Sequence, residues 1–155
     1  MNNKISMQEL LPFIEEALNN DKTFSIPITG TSMRPLLIAG RDTVTLKKCN
    51  APLKKGDLPL YRRKDGAFVL HRVVSVENDG TYTMCGDNQF LKEKGITENQ
   101  IIGVVTEITR NSKTFSVDSK KYQFYVKLGL RLFNVRYPYK RLRYFGHLVK
   151  LKIKD

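Results

Sequence analysis

Ser32 stands in Thr29-Gly30-Thr31-Ser32-Met33-Arg34-Pro35-Leu36-Leu37, and His71 stands in Val69-Leu70-His71-Arg72-Val73-Val74. A serine hydroxyl is a weak nucleophile until a base takes its proton, and an imidazole with an ordinary pKa of about 6.5 suits that task at cellular pH. Gly30 lets the backbone approach a ligand and Pro35 stiffens the turn, so Ser32 is expected at a rigid corner whose amide faces a developing oxyanion. Each string also has a plainer reading. Most Gly-Ser-Pro strings are ordinary turns, and a histidine between valines is more often a buried, hydrogen-bonded strand residue. At His71 the two readings are compatible, because apolar neighbours favour the neutral ring that accepts a proton.

A third group would orient the ring and stabilise its cation. Asp87, in Cys85-Gly86-Asp87-Asn88, is the first candidate, and Glu93 is its rival. Asp42 and Asp57 read as turn or strand-end residues, since aspartate commonly bonds its own turn backbone. Cys49 and Cys85 are too few and too far apart for a disulfide framework, and no ligand pair has zinc-finger or HExxH spacing, so two free thiols and no metal are expected. A Cys85 nucleophile would leave the Ser32 string unexplained. His147, in the basic tail, is expected to be incidental.

These side chains need elements to place them. Ser6 followed by Glu9 fits a capping box, and Leu10, Leu11, Ile14, Ala17 and Leu18 recur at helical spacing, which predicts an amphipathic helix to about Asn19, with Pro12 as a bend or a later start. From Thr23 to Ile108 the texture becomes β. Strands are expected at Ser25–Ile28, Thr43–Lys47, Asp57–Tyr61, Ala67–Val76, Thr81–Met84 and Ile101–Ile108. Lys64-Asp65-Gly66 and Asn78-Asp79-Gly80 mark tight hairpins, so 67–76 should pair with 81–84. The polar stretch Arg110–Lys121 is the first plausible boundary, and helical patterning resumes beyond it over Tyr122–Val135.

Length and composition bound the answer. The chain has 155 residues, 41% of them hydrophobic, with 10 Gly and 6 Pro, which excludes disordered and collagen-like classes. The net charge of +12 is unevenly placed. Residues 1–109 carry 14 basic and 13 acidic side chains, whereas residues 110–155 carry 13 basic and 2 acidic. The tail therefore signals an anionic partner and the body does not.

Gly30-Thr31-Ser32-Met33-Arg34-Pro35 resembles the Gly-x-Ser-Met-x-Pro box of type I signal peptidases and their S24/S26 serine-peptidase relatives. Lys55-Gly56-Asp57-Leu58-Pro59-Leu60-Tyr61 resembles the family's Gly-Asp-hydrophobic stretch. Val69-Leu70-His71-Arg72-Val73-Val74 is similar to its His-Arg-Val strand, Cys85-Gly86-Asp87-Asn88 to its Gly-Asp-Asn box, and Ile102-Gly103-Val104-Val105 to its closing strand. These elements, in family order, cover just over half of the chain. Histidine at position 71, where the common bacterial enzymes use lysine, resembles the Ser-His branch of the endoplasmic-reticulum and archaeal enzymes. Lys92 and Glu93 stand where that branch usually has further aspartates.

The resemblance implies a β-dominated α+β fold, a coiled antiparallel sheet of the S24/S26 type with an N-terminal helix and a basic C-terminal helical segment. Patterning and charge divide the chain into an N-terminal helix over 1–22, a β domain over 23–109 that the resemblance makes catalytic, and a basic amphipathic C-terminal segment over 110–155. The resemblance further implies a serine endopeptidase that needs no cofactor and cleaves a leader or signal-like peptide through an acyl-enzyme. Ser32 would be nucleophile, His71 base and Asp87 or Glu93 the orienter, with Gly30, Thr31 and Met33 binding substrate and small residues flanking the scissile bond. One alternative is a non-catalytic module that holds an extended peptide by strand addition in the same cleft. Another is a self-cleaving LexA-like switch, against which stand the shortness of residues 1–22 as a DNA-binding domain and the lysine those proteins use.

No stretch is apolar enough to span a membrane, and Glu9, Glu15 and Glu16 do not suit a secretory signal, so the expected location is cytoplasmic, with a peripheral place at the inner face of the membrane. Lys120, Lys127, Arg131 and Asn134 form a polar stripe on an otherwise apolar helix. Beyond it Arg136, Lys140, Arg141 and Arg143 interleave with Tyr137, Tyr139, Tyr144 and Phe145. That mixture favours an anionic membrane surface over helix packing or partner docking, and nucleic acid least.

Overall fold

The computed structural model describes residues 6–133 and Pro138. Helix α1, Met7–Asn19, begins as its sequence predicts: the Glu9 amide donates to Ser6 Oγ, and the Ser6 amide donates to Glu9 Oε2 at 2.7 Å. Pro12 lies inside the helix without ending it. Ile14 and Leu18 are buried, and Leu18 seats where Gly103 leaves room, since a Cβ there would lie 2.9 Å from Leu18 Cδ1.

The strands are β1 Phe24–Pro27, β2 Asp42–Lys47, β3 Pro59–Arg62, β4 Phe68–Leu70, β5 Arg72–Val76, β6 Tyr82–Cys85, β7 Glu93–Ile96, β8 Ile101–Arg110 and β9 Lys113–Ser116. A curled antiparallel sheet, a half-barrel, runs in the order β1-β2-β8-β3-β4, with β9 also paired to β8, and β5-β6-β7 form a second sheet. Register shifts at Thr45/Leu46 and Leu60/Tyr61 interrupt the pairing with β8, as bulges that bend a sheet do. Among the described residues the fold is thus mainly β with two α-helices, α2 being Lys120–Arg131.

Side-chain alternation along β3 splits the interior in two. Leu60 joins a core with α1, α2, Val44, Leu46 and Ile108, whereas Tyr61 joins one with Val73, Tyr82, Met84 and Ile96 on the small sheet. Each fully buried aliphatic side chain contributes about 1.5–3 kcal/mol. Ser119 caps α2, and Tyr122 and Val126 anchor it in the first core.

One expected strand needs correction, and two further strands stand where none is expected. The predicted strand Ala67–Val76 is two strands in different sheets, β4 against β3 and β5 against β6, with His71 at the break. Valine and aromatic content marks the whole stretch as β-forming and does not reveal where a chain changes sheets. Within the polar stretch 110–121, where the boundary is expected, β9 pairs with β8 after a turn at Asn111 and Ser112. The small strand β7 escaped notice, since Glu93-Lys94-Gly95-Ile96 lacks a β-forming composition. The continuation of α2 to Val135, His147 and the interleaved basic tail lie outside the described residues.

Candidate active site

Ser32 sits on a turn between β1 and β2. The Arg34 amide donates to the Thr31 carbonyl, and the Leu37 amide to Met33. Met33, Leu36 and Leu37 plunge into the core and pin the turn, leaving Ser32 partly exposed above them. Asp42 closes its base, accepting from the Ile38 amide at 2.9 Å and from Arg41 and Arg110. Burial pushes the Asp42 carboxyl up, but these donors outweigh it and hold the group well below the carboxylate range. Asp57 accepts from the Lys54 amide at 2.7 Å. Both aspartates thus hold local backbone.

The loop after β6 supports the turn from the side. The Asn88 amide donates to the Ser32 carbonyl at 2.7 Å, and Asp87 N–H meets Met33 Sδ at 3.5 Å. Gly86 is required by close approach: a Cβ there would lie 2.7 Å from the Ser32 carbonyl oxygen and 3.1 Å from His71 Nε2. Ser32 and His71 therefore flank one point, and the ring's Nε2 is the nitrogen on that side.

His71, 2% exposed, shows its other nitrogen to a carboxylate. Nδ1 lies 3.1 Å from Glu93 Oε1 and 3.4 Å from the Tyr61 hydroxyl. An ionised carboxylate accepts only, so Nδ1 carries the proton and Nε2 keeps its lone pair. Arg63 holds Glu93 from the far side, Nε donating to Oε2 at 2.6 Å and a second guanidinium nitrogen donating to Oε1. Burial pushes Glu93 up, yet Arg63, Tyr61 and His71 bring it below its usual value. Burial likewise pushes His71 below 6.5, with the Glu93 charge pulling the other way but not prevailing. The ring is neutral at neutral pH, the state a proton acceptor needs.

Of the two carboxylates considered for orienting His71, Glu93 reaches Nδ1 and Asp87 does not. Asp87 is paired with Arg72, Nε to Oδ1 at 2.8 Å and a terminal nitrogen to Oδ2 at 2.7 Å, and also accepts from the Tyr125 hydroxyl at 3.2 Å. Arg72 donates further to the Gly56 carbonyl and to Tyr122 on α2. Asp87 thus ties the loop to β5 and α2. No sequence signal marked Tyr61 and Arg63, which meet Glu93 only because β3 and β7 end together.

A cleft of about 280 Å³ contains Ser32 and His71. Its apolar lining comes from Ile26, Ile28, Met33, Leu60, Phe68 and Leu70, and Met7 of α1 lies at its border. Gly30 and Met33 line it, whereas Thr31 does not, its carbonyl accepting from Arg34 and, at 3.4 Å, from Asn88 Nδ2. The strands beside it, β1 and β4, are the two ends of the large sheet, each paired on one side among the described residues. The Ser32 amide and hydroxyl make no hydrogen bond to a described residue, His71 included. Cys85 is buried and Cys49 half-buried, and among the described residues no three His, Cys, Asp or Glu side chains converge as a metal site requires.

Compared with protein-family models, curated proteins and solved structures, the chain matches none.

Proposed function

We propose that the protein is a serine endopeptidase resembling the Ser-His signal peptidases, acting on an extended peptide laid in the cleft between β1 and β4. One observation carries the reading: a serine and a neutral, buried imidazole border one cleft, and the imidazole is held by a carboxylate on the nitrogen away from the serine. In this reading the peptide adds to a strand edge through its backbone and sinks apolar side chains among Ile28, Leu60 and Leu70. Ser32 Oγ turns to His71 Nε2 when substrate binds, as catalytic hydrogen bonds often tighten only in the complex.

Oγ then attacks the scissile carbonyl while Nε2 takes its proton, and Glu93 stabilises the resulting imidazolium. The Ser32 amide is the donor for the oxyanion. Collapse breaks the C–N bond, the imidazolium gives its proton to the leaving amine, and water activated by the same ring hydrolyses the acyl-enzyme.

A second reading, a peptide-binding module without turnover, draws support from the absence of a Ser32–His71 hydrogen bond in this conformation. A fluorophosphonate probe separates the two. The expected outcome is labelling of the wild type that Ser32→Ala abolishes and His71→Gln lowers by about 10³-fold or more. Labelling that persists in Ser32→Ala, or peptide binding with neither labelling nor turnover, overturns the peptidase.

A further inference from the structure

We propose that α2 docks on an anionic lipid surface, an inference that does not depend on the catalytic reading. Phe124, Leu128 and Leu132, spaced by four, are 68%, 45% and 42% exposed. Lys120, Lys121, Lys127 and Arg131 are exposed beside them. At 3.6 residues per turn these seven positions fall within one arc of about 140°. The opposite side, with Tyr122 and Val126, is buried in the large core.

The helix contains no acidic residue, and none of its four cations has an ion pair among the described residues.

Charge complementarity selects the occupant. Interleaved cations and large apolar side chains on one arc match the boundary between anionic headgroups and acyl chains, where both kinds of group are satisfied at once. A phosphate-tracking helix has no use for an exposed phenylalanine and two leucines. No helix among the described residues is long and apolar enough to cross a membrane, so the contact lies along the surface. The basic and aromatic residues at 136–145 of the sequence add attraction of the same kind. Through Tyr122 and Tyr125 on Arg72 and Asp87, the inner side of the docked helix holds the loop that borders the cleft.

The test is flotation of the full chain with phosphatidylcholine vesicles, with and without phosphatidylglycerol. The wild type is expected to float with the anionic vesicles and poorly with the neutral ones. K127Q with R131Q should lower partitioning roughly 25-fold, about fivefold per cation. F124S with L128S should lower it tenfold or more by the loss of buried apolar area, about tenfold being the least expected. All four positions are exposed, and thermal melts matching the wild type verify folding. Failure of the wild type to float, or flotation unchanged in either pair, overturns the proposal, the latter by assigning binding to the tail alone. So does retention of a single-stranded oligonucleotide, or self-association lost in F124S with L128S, in the absence of flotation.

Discussion

At His71 two opposing influences decide what the ring can do. Burial makes the imidazolium costly, and the Glu93 carboxylate 3.1 Å away recovers part of that cost. Glu93→Gln removes the recovery but keeps the shape, so the His71 pKa should fall further. The expected result is a loss of kcat/KM of about 10²–10⁴-fold together with an acid limb displaced to lower pH. A pH–rate profile and kcat/KM identical to those of the wild type would remove Glu93 from the relay. Arg63 is partly exposed, so its charge tolerates the loss of its partner in this variant.

At the level of elements, the site is a meeting of loop ends. The turn after β1 brings Ser32, the break between β4 and β5 brings His71, the loop after β6 touches the pair at Gly86, and the start of β7 brings Glu93 to His71. Gly86 is the tightest of these contacts, and its obstacle is backbone that cannot swing aside. Gly86→Ala should force the Ser32 turn away from His71, lowering kcat/KM at least about tenfold while costing about 1–3 kcal/mol of stability. Urea unfolding and steady-state kinetics measure the two. An alanine variant with full activity would mean that the loop yields without moving the serine.

For the molecule as a whole, the depressed His71 pKa predicts an acid sensitivity. In the unfolded chain the ring titrates at about 6.5, whereas in the folded protein it holds its proton less tightly, so the unfolded state binds more protons below that pH. Stability should be fullest above pH 6.5 or so and decline as pH falls toward the folded-state value. Glu93 and Asp42, also depressed, add to this only in the carboxylate range below, which leaves the upper part of the window to His71. Thermal melts from neutral pH to about pH 5 should show a falling Tm, with a shallower slope in His71→Gln. Equal slopes would show that another group controls acid unfolding.

Local chemistry makes much of this protein readable from the sequence alone. The Ser6–Glu9 box set the start of α1, the Asp-Gly pairs set both hairpins, and the Gly-Ser-Pro string made a corner, because each is a short-range matter of hydrogen bonding and backbone freedom. Asp42 and Asp57 were legible as turn residues for the same reason. What tertiary structure alone decided was which groups separated in sequence would share a charge environment. Asp87 is next to the glycine that touches the pair, yet Arg72 and Tyr125 occupy its oxygens, while Glu93 reaches the ring because β7 returns alongside β6. A β-forming stretch from Ala67 to Val76 has the same composition whether it stays in one sheet or crosses between two, and it is the crossing, set by where β3 and β6 offer edges, that leaves His71 facing Ser32 on one side and a carboxylate on the other.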